Sequence, residues 1–220
     1  MPVALLSSSL RPIWAEFGVY NAGGLSFNAK ERYSAVVHTI LPHDENPALR
    51  KATSEIPIAE IGSAHIQTLV KDMKALLAEE EYGVALAAPQ VGEAIRLFVV
   101  SGSAVKRKEK KYHDTKSMSS SPDESISDGV YINPTVTKVS RKKTAKHEGC
   151  LSIRGKWGVV PRAEKCTLTA WNEKGQKIAR GASGLLAHIF QHEMDHLEGI
   201  LYTDKATEVH DEKSDSEPFA

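Results

Sequence analysis

From Ser63 to Tyr82 the chain reads "SAHIQTLVKDMKALLAEEEY", with Ile66, Leu69, Val70, Met73, Leu76 and Leu77 spaced to share one side of a helix. Ser63 supplies an N-cap and Gly83 a stop, so the segment predicts an amphipathic helix. The period then changes. "GVALAAPQVG", Gly83 to Gly92, is built of small residues, and "IRLFVV", Ile95 to Val100, is an apolar, β-rich run of the kind that forms a buried strand. Strands resume at "GVYINPTVTKVS", at "GVVP" and at "CTLTAWN". The last of these alternates and runs into "NEKG", which predicts a hairpin returning through "QKIARG". A second helix is expected from Ser183, as N-cap, to about Glu198, with Gly199 ending it. Helices set among antiparallel strands predict an α+β fold. In it, antiparallel sheets are expected to pack around a central helix, the one that carries the chemistry below.

Three stretches fall outside these patterns. Residues 1–34 follow neither period and contain "NAGGLS", so a weakly structured N-terminal extension is expected there. Residues 103–128, "SAVKRKEKKYHDTKSMSSSPDESISD", place a basic cluster before a serine-rich acidic run. Such a composition buries too little apolar area to offset its ordering entropy, which predicts a flexible, solvated insert. Residues 204–220 are charged and aperiodic, and predict a disordered tail. One folded domain over 35–203 remains, and 41% hydrophobic content in 220 residues is enough for a real core.

Charge narrows the partners. Lys+Arg and Asp+Glu both number 28, which argues against a nucleic-acid-coating protein, and no direct nucleic-acid binding is expected. No apolar run approaches the ~20 residues of a membrane helix, so no membrane association is expected either. The opening "MPVALLSSSLRPIW" has no basic n-region, which predicts a cytoplasmic location. The two cysteines, Cys150 and Cys166, are read as reduced thiols.

Candidate chemistry centres on "QHEMDHLEG", Gln191 to Gly199. His192 and His196, four apart on a helix, stand on one face as paired metal ligands, with Glu193 beside them as general base for the water a metal would activate. A polar helix face is the plain alternative. In one large group of zinc proteases the pattern continues to a third histidine six residues after the second, with a glycine between. Here Gly199 holds the glycine place, but Tyr202 stands where that histidine would be. Downstream candidates for a third ligand are Glu198, Asp204, Glu208 and His210, the last three in a segment with little to hold it rigid. Upstream, "HEGCLS" offers Cys150 after strand-like sequence, and a thiolate is a good ligand for a divalent transition metal.

Three separated segments, in order, carry a family pattern: "GVALAAPQ" (83–90), "EGCLS" (148–152) and "QHEMDH" (191–196). With Pro161 and Arg162 between them, the stretch from about Val36 to Tyr202 resembles the peptide deformylases. The resemblance implies Cys150 as the third ligand with His192 and His196, holding one divalent ion per chain. Iron(II) is the expected native ion, with zinc, nickel or cobalt able to occupy the same site. It implies Glu193 as the proton carrier, with the Gln90 side-chain amide and the Leu151 backbone N–H as donors to the oxyanion. The implied substrate is a nascent formylmethionyl polypeptide met near the ribosome, deformylated with release of formate. Its backbone would pair with Gly83 to Ala85, and its first side chain would enter a pocket of Val84, Leu185, His188 and Ile189. Two departures stand out. Ala85 replaces a second glycine, adding a Cβ where substrate approaches. His188 extends the His192–His196 column by a turn and is read as lining the pocket rather than as a ligand. Other readings are a metallopeptidase with a downstream ligand, a binding protein with a structural Cys–His zinc site, and a deformylase-like hydrolase of altered substrate.

Overall fold

The run Leu97–Val100 is buried throughout because both faces of its strand are covered. It is β2 of an antiparallel five-stranded sheet in a computed structural model that describes residues 38–108 and 128–211. That sheet also holds β1 (Ala85–Ala87), β3 (Gly129–Val139), β6 (Lys165–Trp171) and β7 (Lys177–Ser183), in the order β1-β2-β3-β6-β7. A second sheet joins β4 (Lys143–Cys150), β5 (Ile153–Ala163) and β8 (Glu208–Asp211).

Helix α1 (Ala64–Glu79) covers one face of the first sheet, its Ile66, Leu69, Val70, Met73 and Leu77 packing with Leu97, Val99, Val130 and Ile132. Alternation sends Phe98, Val100 and Tyr131 to the opposite face, where Ile189 and Phe190 of another helix, Gly184–Leu197, meet them. Phe98 stacks on Tyr131 at 4.8 Å, and Phe190 meets Tyr131 edge-on at 5.0 Å. The Gly184–Leu197 helix touches β1, β6 and β7 of the first sheet and β5 of the second, and so lies between the two. None of the described helices is long and apolar enough to cross a membrane.

Several boundaries differ from those read in the sequence. Ser63 caps α1, accepting from the Ile66 N–H, but the helix stops at Glu79, where Glu80 turns extended. Gly83 acts by close approach instead, since a Cβ there would lie 2.8 Å from Glu80 Cβ and 2.9 Å from Leu77 Cδ1. Ser183 occupies the expected N-cap position without a side-chain capping bond, and Gly184, at φ +56°, makes the turn out of β7. Gly199 ends that helix as expected, at φ +73°, and its missing Cβ leaves room for the backbone of Arg50 and Lys51. The hairpin after Trp171 forms, with Asn172 Oδ1 accepting from the Lys174 and Gln176 amides and Gly175 at φ +72°.

The start of the expected solvated insert is helical: α2 runs through 102–108 and buries Ala104 and Val105, an apolar pair too short to register among lysines. The Gly184–Leu197 helix is therefore α3. Residues 109–127 of that insert, the extension 1–34 and 212–220 of the expected tail lie outside the described residues. Within the expected tail, 208–211 form β8, held on the edge of β5 by backbone pairing that leaves no apolar period to read.

Candidate metal centre

Helix α3 sets the His192 and His196 rings one turn apart, 4.8 Å between centroids, and the end of β4 brings Cys150 against them. Cys150 Sγ lies 3.3 Å from His196 Nε2, and the ligand atoms of all three residues fall within 4.8 Å of one another. Typical bond lengths place sulfur and nitrogen roughly 3.6 Å apart across a tetrahedral ion. One thiol and two imidazoles at this spacing fit a divalent transition metal. No other such group of three gathers among the described residues. The downstream candidates are engaged elsewhere: Glu198 pairs with Arg96 at 2.8 Å, Asp204 with Arg50, and Glu208 with His210 on exposed β8. None reaches the histidine pair, so the feature a metallopeptidase would need is missing there.

Behind the cluster runs a buried chain of charge. His192 Nδ1 is 3.0 Å from Glu148 Oε2; a carboxylate accepting that N–H turns the Nε2 lone pair toward Cys150 and His196. Arg162, only 4% exposed, donates to both Glu148 oxygens at 2.7 and 2.8 Å and to Asp195 Oδ2 at 2.6 Å. Asp195 in turn accepts from Lys205 at 2.6 Å. Burial opposes the charge on Glu148, but the hydrogen bonds from Arg162 and His192 outweigh it and pull the carboxyl down to about 2. In the sequence Glu148 and Asp195 lie inside the matched segments and Arg162 between them, but no role followed there for any of the three. The available signal was strand period: two apart, Glu148 and Cys150 would share a face of a regular strand, although the pairing of β4 with β5 is irregular between them.

Glu193, 3% exposed, leaves Oε2 without a partner, and burial pushes its carboxyl up to about 7. Gln90 Oε1 accepts from the Ala87 N–H at 2.8 Å, which turns its amide nitrogen toward Cys150 Sγ and Ser152 Oγ, 3.5 and 3.4 Å away. A cleft of about 550 Å³ opens onto this group. Gly83, Val84, Ala85, Gln90, Cys150, Leu151, Leu185, His188, Ile189, His192 and Glu193 all line it, while His196, 1% exposed, sits behind. The Ala85 side chain belongs to the apolar core with Phe98 and Val100, and Asn133 is the single described non-glycine residue with positive φ. The added methyl therefore packs inward without backbone strain. His188 is 5% exposed, with Nδ1 buried and unpartnered; burial, then the charge of Lys146, pushes its imidazole down to about 4.

Known proteins match this arrangement. A sequence model of the polypeptide deformylase family matches residues 37–212. The peptide deformylase of Roseiflexus castenholzii is 36% identical over 179 residues, 80% of this chain and 92% of that protein. A chloroplastic peptide deformylase 1A of Solanum lycopersicum is also 36% identical, over 160 residues and 73% of this chain. The chain spans little more than half of that plant relative and of its Arabidopsis thaliana counterpart, 56% and 58%. Among solved structures, a class I type b peptide deformylase of Acinetobacter baumannii with Met-Ala-Ser bound superposes with a TM-score of 0.65 at 29% identity, covering 77% of this chain and 98% of that one. A family match over most of the described fold, relatives at 36% identity and a shared architecture assign the chain to the peptide deformylase family.

Proposed function

We propose that the chain removes the N-formyl group from formylmethionine at the start of newly made polypeptides, releasing formate. The observation that carries the reading is the meeting of Cys150, His192, His196, Glu193 and Gln90 at one cleft. Cys150, His192 and His196 would hold one divalent ion, which when bound acidifies water and polarises the formyl oxygen. Glu193 takes the proton of the attacking water and passes it to the leaving amine, work suited to a carboxyl whose burial sets it near neutrality. The Gln90 amide, anchored through its own oxygen, donates with the Leu151 N–H to the charge developing on the formyl oxygen. Glu148, fixed by Arg162, holds His192 in one tautomer. β1 is an edge strand, so an extended substrate can add along Gly83 to Ala85, its first side chain among Val84, Leu185, His188 and Ile189. The Acinetobacter baumannii relative holds Met-Ala-Ser, a peptide beginning with methionine, which supports this substrate class.

Iron(II) is the proposed native ion, with zinc, nickel or cobalt accepted by the same mixed donors. The proposed working unit is 35–203 extended by β8, acting near the ribosome in the cytoplasm; the two plant relatives are named chloroplastic and chloroplastic/mitochondrial, and imaging the tagged full chain separates the three compartments. The direct test is formate release from a formylmethionyl tripeptide by full-length protein purified anaerobically with iron or with nickel. Turnover is expected with both. A fully metal-loaded protein that releases no formate would overturn the reading.

A further inference from the structure

We propose that His188 gives the pocket for the first residue one polar wall, and that the chain thereby accepts N-formylmethionine sulfoxide, an oxidised start residue, alongside formylmethionine. The inference rests on the deformylase reading of the same cleft. Of the other residues proposed to receive the first side chain, Val84, Leu185 and Ile189 are hydrocarbon. Among them α3 sets an imidazole that is 5% exposed, lines the cleft and leaves Nδ1 buried with no hydrogen-bond partner. A neutral imidazole carries one donor and one acceptor. Buried polar nitrogens are nearly always paired, and Nδ1, closed off from the cleft, is the poorer place for the proton, so the ring meets a ligand through an N–H at Nε2.

The ligand chemistry follows from what enters. A methionine side chain offers only a thioether, a weak acceptor, at the depth of such a pocket. Oxidation adds a strongly accepting oxygen to that sulfur and makes the side chain polar. In a wholly apolar pocket the oxygen would be buried without a donor, which disfavours it strongly. The ring N–H of His188 supplies the donor. No bond is made or broken at His188, and the formyl hydrolysis itself is unchanged.

The experiment compares formylmethionyl, formylmethionine-sulfoxide and formylnorleucyl tripeptides on the metal-loaded full chain, as wild type, His188→Ile and His188→Gln. The readouts are kcat/KM and calorimetric binding of the three deformylated peptides. For wild type, the sulfoxide is expected within about tenfold of methionine. His188→Ile should lower the sulfoxide-to-methionine ratio by about five- to tenfold, the worth of one hydrogen bond, with the norleucine-to-methionine ratio as the apolar control. His188→Gln, still a donor, should keep most of the ratio. An unchanged ratio in His188→Ile, an equal fall in His188→Gln, or a wild-type sulfoxide penalty above a hundredfold would each overturn the inference; the last needs no variant to fold. Each of these results is read as a ratio between tripeptides that do release formate, whereas failure of the deformylase reading appears as no formate from any tripeptide.

Discussion

Replacing Glu148 by glutamine keeps the volume of the side chain and removes its charge, and the consequences can be worked out from the contacts it makes. The carboxylate accepts at 2.7 and 2.8 Å from Arg162 and at 3.0 Å from His192, in a setting where its own side chain is 8% exposed. Its carboxyl sits at about 2 in the folded chain against an ordinary 4.5, so ionisation stabilises the fold by about 3 kcal/mol. Because the folded value is depressed, that contribution is fully present above pH 4.5 and fades as pH falls through the folded value of about 2. Glutamine would leave Arg162 nearly buried with Asp195 as its remaining carboxylate. Thermal unfolding of the metal-free protein at pH 7 should show a midpoint lowered by roughly 6–12 °C in Glu148→Gln, and the gap should shrink as the pH is taken down toward 3. Loss of the carboxylate that orients His192 should also weaken metal binding by about 10- to 100-fold in a competition titration with a chelator. A variant that unfolds with wild type at pH 7, or a gap that stays constant from pH 7 to pH 3, would refute this account of Glu148.

Changing Cys150, His192 or His196 singly to alanine should leave a folded protein, by circular dichroism, that carries less than one metal per chain by elemental analysis; full loading of Cys150→Ala would remove it from the ligand set. Glu193→Gln should keep its metal and lose turnover by about 10²- to 10⁴-fold. Burial raises the Glu193 carboxyl from 4.5 to about 7, so wild-type stability should fall as pH rises through that interval. Metal-free Glu193→Gln should therefore melt close to wild type at pH 5 and above it at pH 8, and equal midpoints at both would contradict the burial argument. Ala85→Gly should cost about 1 kcal/mol of stability with KM unchanged within twofold, since the methyl packs with Phe98 and Val100; a several-fold fall in KM would put the methyl in the substrate's path after all.

Periodicity exposed what single elements impose on themselves. The stripe of α1 and the apolar run of β2 are local patterns, and both sides of the core can be traced to them. Ligand types and helical spacing likewise singled out His192 and His196 before any fold was known. Contacts made by backbone or across long separations left little trace. β8 pairs along β5 with every residue exposed, so no alternation records it. Arg162 meets Glu148 and Asp195 from 14 and 33 residues away, and nothing in their local sequence announces that meeting. Ala85 shows the reverse case. Its mismatch was visible at once, but its direction was not, because which face of β1 turns inward depends on its register against β2.

The two glutamates beside His192 explain how one site can both fix an imidazole and move a proton. Glu148, Arg162, Asp195 and Lys205 form a chain of two negative and two positive groups, so that assembly is neutral and holds Glu148 ionised whatever happens in the cleft. Glu193 has no such partner: its Oε2 is buried without a hydrogen bond, and Glu148 and Asp195 add like charge to the desolvation that raises it. Separation of the two carboxyls, about 2 against about 7, divides their roles by environment alone. A fully compensated Glu193 would stay ionised and return its proton poorly to a leaving amine. The same absence of a partner that makes Glu193 costly to the metal-free fold is thus what suits it to exchange a proton once a cation beside it favours its charged form.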